Sequence, residues 1–228
     1  MTREGSGSLL ISAYKRLEKL LNINWSSKHK HDYLITNING FDIDRFAREV
    51  ARLSLLLYSL PNGNSWNILT SDTLKINNFT KLNYPMIIVG NPPFQELRKG
   101  SQKQKAVEFL EKYIEWLKPN GYIGIVLPET LLENNSGKQV RKKLLENFDI
   151  LEIWSMPETI FKNNWATTIV IAQKREKLNY ESYPTKIRIV SRNKSSIKKY
   201  FDHKKADIEF FFPDQFIWQK NENCTIRF

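Results

Sequence analysis

The sequence predicts an α/β fold built on a parallel sheet, and three observations point that way. Short apolar runs (Ile38 to Ile43, Trp66 to Leu69, Met86 to Gly90, Ile123 to Leu127) alternate with segments whose apolar residues recur at helical spacing. That alternation places helical crossovers between parallel strands. Asp42, Asp72 and Asn91 each follow an apolar run, at the carboxyl ends where open α/β sheets bind ligands.

The elements follow in order. Leu9, Leu10, Ala13, Tyr14, Leu17, Leu20 and Leu21 share one helical face, and Gly5-Ser6-Gly7-Ser8 before them suits a tight loop at a helix N-terminus. Residues 22–37 are polar and read as a loop plus a short helix. Ile38 to Ile43 is a strand ending in Asp42-Ile43-Asp44. Phe46, Ala47, Val50, Ala51, Leu53, Leu56 and Leu57 make 45–59 an amphipathic helix, with Asp44 placed to cap it and Pro61-Asn62-Gly63 to break it. Trp66 to Leu69 is a strand leading to Ser71-Asp72. Residues 86–90 form the next strand, and a polar loop over 97–104 follows. Ala106, Phe109, Leu110, Tyr113, Ile114 and Leu117 predict a helix over 105–118, ended by Pro119-Asn120-Gly121. Ile123 to Leu127 is a strand, Val140 to Phe148 a helix, and Ile150 to Trp154 and Thr167 to Ala172 are strands. The character turns polar and basic after Lys174, so the expected organisation is a catalytic domain over 1–175 and the start of a second module over 176–228.

Composition narrows the function classes. The 228 residues are 41% hydrophobic and 12% aromatic, which supplies a core and argues against global disorder. The single Cys224 excludes an internal disulfide and a multi-cysteine metal site, and His29, His31 and His203 lack ligand spacing, so no metal is expected. No apolar run approaches the length of a membrane span and no secretory signal is visible, so a cytoplasmic protein without a membrane partner is expected. The net charge is +11, a field that fits a polyanion such as nucleic acid. Basic residues cluster at Arg141-Lys142-Lys143, Lys198-Lys199-Tyr200-Phe201 and His203-Lys204-Lys205.

Asn91-Pro92-Pro93-Phe94 carries the sharpest chemistry. The Asn91 side-chain oxygen and the Pro92 carbonyl can both accept hydrogen bonds from one exocyclic NH2 group, and neither proline nitrogen offers a competing donor. Phe94 can stack on the ring that bears the amine. The bland reading is a strand end followed by a Pro-rich turn. An acid at the end of a second strand can bind both hydroxyls of a ribose, which suits Asp42, with Ile43 against adenine. Asp72, after a third strand, can accept from an adenine amino group. A loop acid or helix cap remains the alternative for each.

The tetrapeptide resembles the catalytic motif of amino-methylating, S-adenosylmethionine-dependent methyltransferases. Gly-Ser-Gly-Ser-Leu-Leu-Ile-Ser-Ala-Tyr-Lys-Arg-Leu (5–17) and Asn-Gly-Phe-Asp-Ile-Asp-Arg-Phe-Ala (39–47) sharpen the likeness. So do Leu-Pro-Glu-Thr-Leu-Leu (127–132), Arg141, Phe161 and Ala-Thr-Thr-Ile-Val-Ile (166–171), in that order. Together they resemble adenine-N6 DNA methyltransferases of restriction–modification systems, in the branch of type I modification subunits and type IIG enzymes. The resemblance implies a Rossmann-like sheet with helices on both faces and S-adenosylmethionine as cofactor, bound through Gly5, Gly7, Asp42, Ile43 and Asp72. It implies Asn91, Pro92, Pro93 and Phe94 as the catalytic tip and Phe161 as a second wall on the target base, with a core aromatic as the alternative for Phe161. It also implies double-stranded DNA as substrate and a specificity or complementing subunit as partner. The target adenine must leave the duplex, because its N6 lies inside a base pair.

The likeness departs from the family pattern at the N-terminus. The acidic-Pro-small-Cys stretch expected before the Gly-Ser-Gly is not there: Met1 stands at the acidic position and Glu4 at the cysteine position. The first strand, which in this fold separates the strands carrying Asp42 and Asn91, is likewise expected to be missing. The expectation is a chain truncated at both ends, with unpaired strand edges that favour self-association. The alternatives are a catalytically inactive DNA-binding or subunit-interaction fragment, and an RNA or protein amino-methyltransferase that shares Asn-Pro-Pro-Phe.

Overall fold

The computed structural model describes residues 7–76, 84–94, 105–133, 137–160, 165–176 and 184–212. The chain divides into two compact units, residues 1–78 and 79–228. Gly5, Phe161 and the loop over 97–104 lie outside the described residues.

In the first unit, helices α1 (Ser8–Leu20), α2 (Ser27–Asn37) and α3 (Arg45–Ser59) accompany strands β1 (Asn39–Asp42) and β2 (Asn67–Thr70). β1 and β2 pair in parallel, with Asp42 opposite Thr70. The apolar spacing of α1 and α3 is met in part: Tyr14 and Ala51, with Leu55, turn inward and bury with Leu34, Ile38, Trp66 and Ile68, whereas Leu9, Leu20, Phe46, Leu53 and Leu57 stay exposed. Segment 27–37 forms three turns of helix where only a short one was expected. Ser26 accepts the His29 N–H at 3.2 Å as its cap, and His31 is buried edge-on against Trp66, ring centroids 5.4 Å apart. His31 is thus a core histidine.

The second unit contains β3 (Ile87–Gly90), α4 (Lys105–Trp116), β4 (Tyr122–Pro128), the single turn α5 (Thr130–Glu133) and α6 (Lys138–Asn147). It continues with β5 (Phe148–Met156), β6 (Thr167–Lys174), β7 (Thr185–Ile189), α7 (Lys194–His203) and β8 (Ile208–Phe212). Among the described residues these strands form one sheet in the order β3-β4-β6-β5-β7-β8. Alternating residues of β4 (Ile123, Ile125, Leu127) are fully buried, as are Leu110 of α4 and Leu144 of α6. Lys174 seals the end of α4, its Nζ donating to the carbonyls of Ile114 and Leu117 at 2.6 Å each. These C-terminal carbonyls have no partner within the helix, and the ammonium satisfies them.

The sheet is mixed, parallel in four strands with two antiparallel ones added. β3, β4, β5 and β7 share one direction, whereas β6 runs antiparallel to both β4 and β5, and β8 antiparallel to β7. The cause is connection length. Residues 157–166 between β5 and β6 are too few for a helical crossover, so the chain turns back on itself. β7 and β8 continue the same sheet beyond residue 175.

β1 pairs with β2 and β3 with β4, in separate sheets, so the unpaired edges expected from the sequence are present among the described residues. β3 stands at the end of its sheet among the described residues, and Ile87 and Val89 are exposed together on one of its faces. No described helix is long and apolar enough to cross a membrane.

Candidate active site

β3 ends at Gly90, and the next four residues form the tip. Gly90 is required by its surroundings: a Cβ there would stand 2.5 Å from the Tyr113 hydroxyl and 3.0 Å from its Cζ. Tyr113 itself comes from the inward face of α4, and burial raises the pKa of its phenol, so it stays neutral. The glycine therefore lets α4 close onto the strand directly beneath Asn91.

Asn91 is half-buried, yet its Oδ1 is fully enclosed and has no hydrogen-bond partner among the described residues. Such an acceptor forfeits its water without compensation, at a cost of about 1–3 kcal/mol. Pro92 is buried and Pro93 half-buried, and neither supplies an N–H that could answer it. Phe94 is half-buried and lies beside Trp165, ring centroids 6.2 Å apart at 38°. Trp165 precedes β6 and is 49% exposed. Because β6 runs antiparallel, its first residues lie at the edge where β3, β4 and β5 end.

The same edge carries further polar groups. Glu129, just past β4, accepts from the Ser155 hydroxyl at 2.9 Å. Thr167 and Thr168 open β6 with fully buried hydroxyls that have no partner among the described residues. Among the described residues no cluster of His, Cys, Asp or Glu could hold a metal ion.

In the first unit, Gly7 caps α1 with φ +70°, and a Cβ there would lie 2.6 Å from Ala51 Cβ, so both conformation and the approach of α3 select glycine. Asp42 ends β1, and its Oδ1 accepts the Asp44 N–H at 2.8 Å. Asp44 caps α3 through the N–H groups of Phe46 and Ala47, at 2.8 and 3.4 Å. Ile43 between them is 71% exposed. Asp72 follows β2 and caps a single 3-10 turn by accepting the Leu74 N–H at 3.1 Å, with Lys75 4.0 Å away. The Ser71 N–H donates to the Asp42 carbonyl at 2.9 Å, so the structure brings Asp42 and Asp72 together at neighbouring strand ends.

The model of the family described as N-6 DNA methylase matches residues 3–211. The chain belongs to that family. A curated relative, the type II restriction enzyme and methyltransferase RM.Eco57I of Escherichia coli, is 27% identical over 180 residues, 67% of this chain and 18% of its own length. The chain thus spans under a fifth of that relative. Its fold is that of the type I restriction-modification methyltransferase subunit from Streptococcus thermophilus, TM-score 0.66 at 22% identity over 97% of this chain and 52% of the other. A modification subunit of a putative type I restriction enzyme from Vibrio vulnificus superposes with TM-score 0.67 at 15% identity, over 91% of this chain and 49% of the other.

Two features of this N-6 DNA methylase chain escaped sequence reasoning. Trp165 lies 71 positions from Phe94 in the chain, and only the β5–β6 turn-back makes them neighbours. The three basic clusters look alike in sequence, but the first is largely tied down. Arg141 donates to the Leu131 carbonyl at 3.0 Å, and burial lowers its pKa. Lys142 pairs with Glu146 at 3.7 Å and Lys143 with Glu111 at 3.5 Å.

Proposed function

We propose that this chain transfers a methyl group from S-adenosylmethionine to the N6 amine of an adenine flipped out of double-stranded DNA, as part of a restriction–modification system. The observation that carries the reading is the enclosed, unpartnered Oδ1 of Asn91 at the carboxyl end of β3. A buried acceptor held without a partner is pre-set for a donor that arrives with a substrate.

The residues of the first unit fit the cofactor. Asp42 offers a carboxylate for vicinal ribose hydroxyls, and the exposed Ile43 beside it offers an apolar surface for a purine. Gly7 and Asp72 complete the binding set in this reading, together with Gly5. S-adenosylmethionine, when bound, supplies an electrophilic methyl group on sulfonium sulfur.

The chain's own residues supply position and charge. Asn91 Oδ1 and the Pro92 carbonyl accept the two N–H bonds of the adenine amine. They pull its nitrogen from planar toward tetrahedral geometry and free the lone pair for attack. Transfer of the methyl group from sulfonium sulfur to N6 would leave one surplus amine proton, which would pass to water. Phe94 holds one face of the base, with Phe161 as the second wall. No strong base is needed, so preorganised acceptors carry most of the rate.

In this reading the duplex is the substrate, a specificity or complementing subunit is the partner, and residues 176–228 begin a target-recognition or C-terminal extension. The end position of β3 in its sheet among the described residues supports association with a further polypeptide. A catalytically silent, DNA-binding or subunit-interaction role is the second reading. It is favoured by the placement of the Asp42 and Asn91 strands in separate sheets. The deciding experiment is methyl incorporation from radiolabelled S-adenosylmethionine into adenine-containing duplexes, with Asn91→Ala alongside. Incorporation abolished by the substitution supports the catalytic reading; cofactor binding without incorporation supports the silent one.

A further inference from the structure

Helix α7 lies at the same edge of the sheet as Asn91. β7 ends at Ile189 in the direction shared with β3, and Asn193 caps α7 by accepting the Ser196 N–H at 2.8 Å. After the helix, Asp207 returns to the end of β7, donating its N–H to the Ile189 carbonyl at 2.9 Å and accepting the Ser191 N–H at 2.7 Å. Both ends of α7 are therefore tied to the carboxyl end of β7. Its inner face is fixed by Tyr200 packing on a cluster of Trp154, Met156, Val190 and Ala206.

The outer face is basic. Residues 191–207 hold six Lys or Arg and two Asp. Lys194, Lys198 and Lys205 are exposed, and among the described residues no carboxylate lies within ion-pair distance of any of them. This contrasts with Lys142 and Lys143, which are paired. Arg192 is engaged by Glu158 at 3.2 Å, and Lys204 lies over the Tyr200 ring, 5.0 Å from its centroid. β3 and β7 are four strand spacings apart in the sheet, roughly 19 Å. On B-form DNA that is about five to six base pairs from the flipped base.

We propose that Lys194, Lys198 and Lys205 form a ridge that grips the phosphate backbone of duplex DNA a few base pairs from the target adenine. The proposal rests on the reading that duplex DNA is the substrate. Exposed ammonium groups on flexible stems are point charges that meet phosphates without reading sequence. The ridge would set register and affinity and leave base choice to other residues.

The test is the salt dependence of duplex affinity, read by fluorescence anisotropy on the full chain and on a Lys194→Ala/Lys198→Ala/Lys205→Ala variant. Each lost phosphate contact lowers the slope of log K against log salt by about 0.9. A slope smaller by about two to three, with unrelated sequences weakened alike and the corresponding Lys→Arg variant unchanged, is the expected result. Coincident slopes, no measurable duplex binding by the unsubstituted chain, or weakened binding to anionic vesicles with duplex binding intact would each overturn it. Methyl incorporation is measured on the same preparations. A slope difference without methylation sinks the catalytic reading and leaves the ridge standing; methylation with coincident slopes does the reverse.

Discussion

The Tyr113 hydroxyl occupies the space that a side chain on Gly90 would need, 2.5 Å from the position of a Cβ. Strand end and helix are thereby matched one residue before Asn91. Gly90→Ala is expected to destabilise by about 1–3 kcal/mol through overpacking and to reduce methyl transfer further by displacing Asn91. Tyr113→Phe removes the obstructing oxygen. The double variant is expected to recover part of both losses, and a double-mutant cycle on unfolding and on turnover checks this.

Asn91→Ala separates function from stability. The unpartnered Oδ1 is a burden on the folded protein, so its removal is expected to leave stability unchanged or raised by about 1 kcal/mol. Methyl transfer is expected to fall by about 10²–10³-fold, the usual cost of losing a preorganised electrostatic partner. Denaturant unfolding and single-turnover methylation measure the two effects. A parallel fall in both would make Asn91 a structural residue.

Asp42 and Asp44 stand two residues apart and are expected to behave differently. Asp44→Ala removes the cap of α3 and costs about 1 kcal/mol with cofactor affinity retained. Asp42→Ala is expected to abolish S-adenosylmethionine binding in a calorimetric titration. If both variants keep the cofactor, the assignment of Asp42 to the ribose is wrong.

Asp207 gives α7 a dependence on acid. The Ser191 N–H is the main cause holding its carboxyl below the usual range, with the Ser196 and Ser191 side chains and the charge of Lys199 adding to it. A carboxylate whose pKa is lowered on folding stabilises above its unfolded pKa of about 3.9, and that contribution is lost as pH falls through the lower folded value. Amide protection in 191–207, taken relative to the intrinsic exchange rate at each pH, is expected to fall over that acid range, and Asp207→Asn to flatten the response. An unaltered pH profile in the variant would remove Asp207 from this role.

Much of this architecture was legible because local pattern and tertiary burial agree. The apolar spacing of 9–21, 45–59 and 105–118 gives helices, and Tyr14, Ala51 and Leu110 among the marked residues turn inward, while Leu9, Leu20, Phe46, Leu53 and Leu57 do not. Asp44 is recognisable as a cap because it directly precedes such a pattern. The direction of 167–174 is not carried by its own residues, since an apolar strand reads the same whichever way it runs; the short connection before it carries it. Nor was the difference between residues 141–143 and 194–205 fully legible, because the pairing of Lys143 with Glu111 depends on the packing of α6 on α4, whereas that of Lys142 with Glu146 follows helical spacing. Trp165 carried no signal because its partner ring is remote in the chain.

The division into two sheets reaches into the thermodynamics of the whole chain. Each unit has its own strands and its own buried cluster, so each is expected to have a melting transition of its own. A single melting temperature would then describe neither, and calorimetry would resolve two transitions where a two-state protein gives one. A ligand held by Asp42 would raise the transition of the first unit by mass action, which turns cofactor binding into a label for that unit.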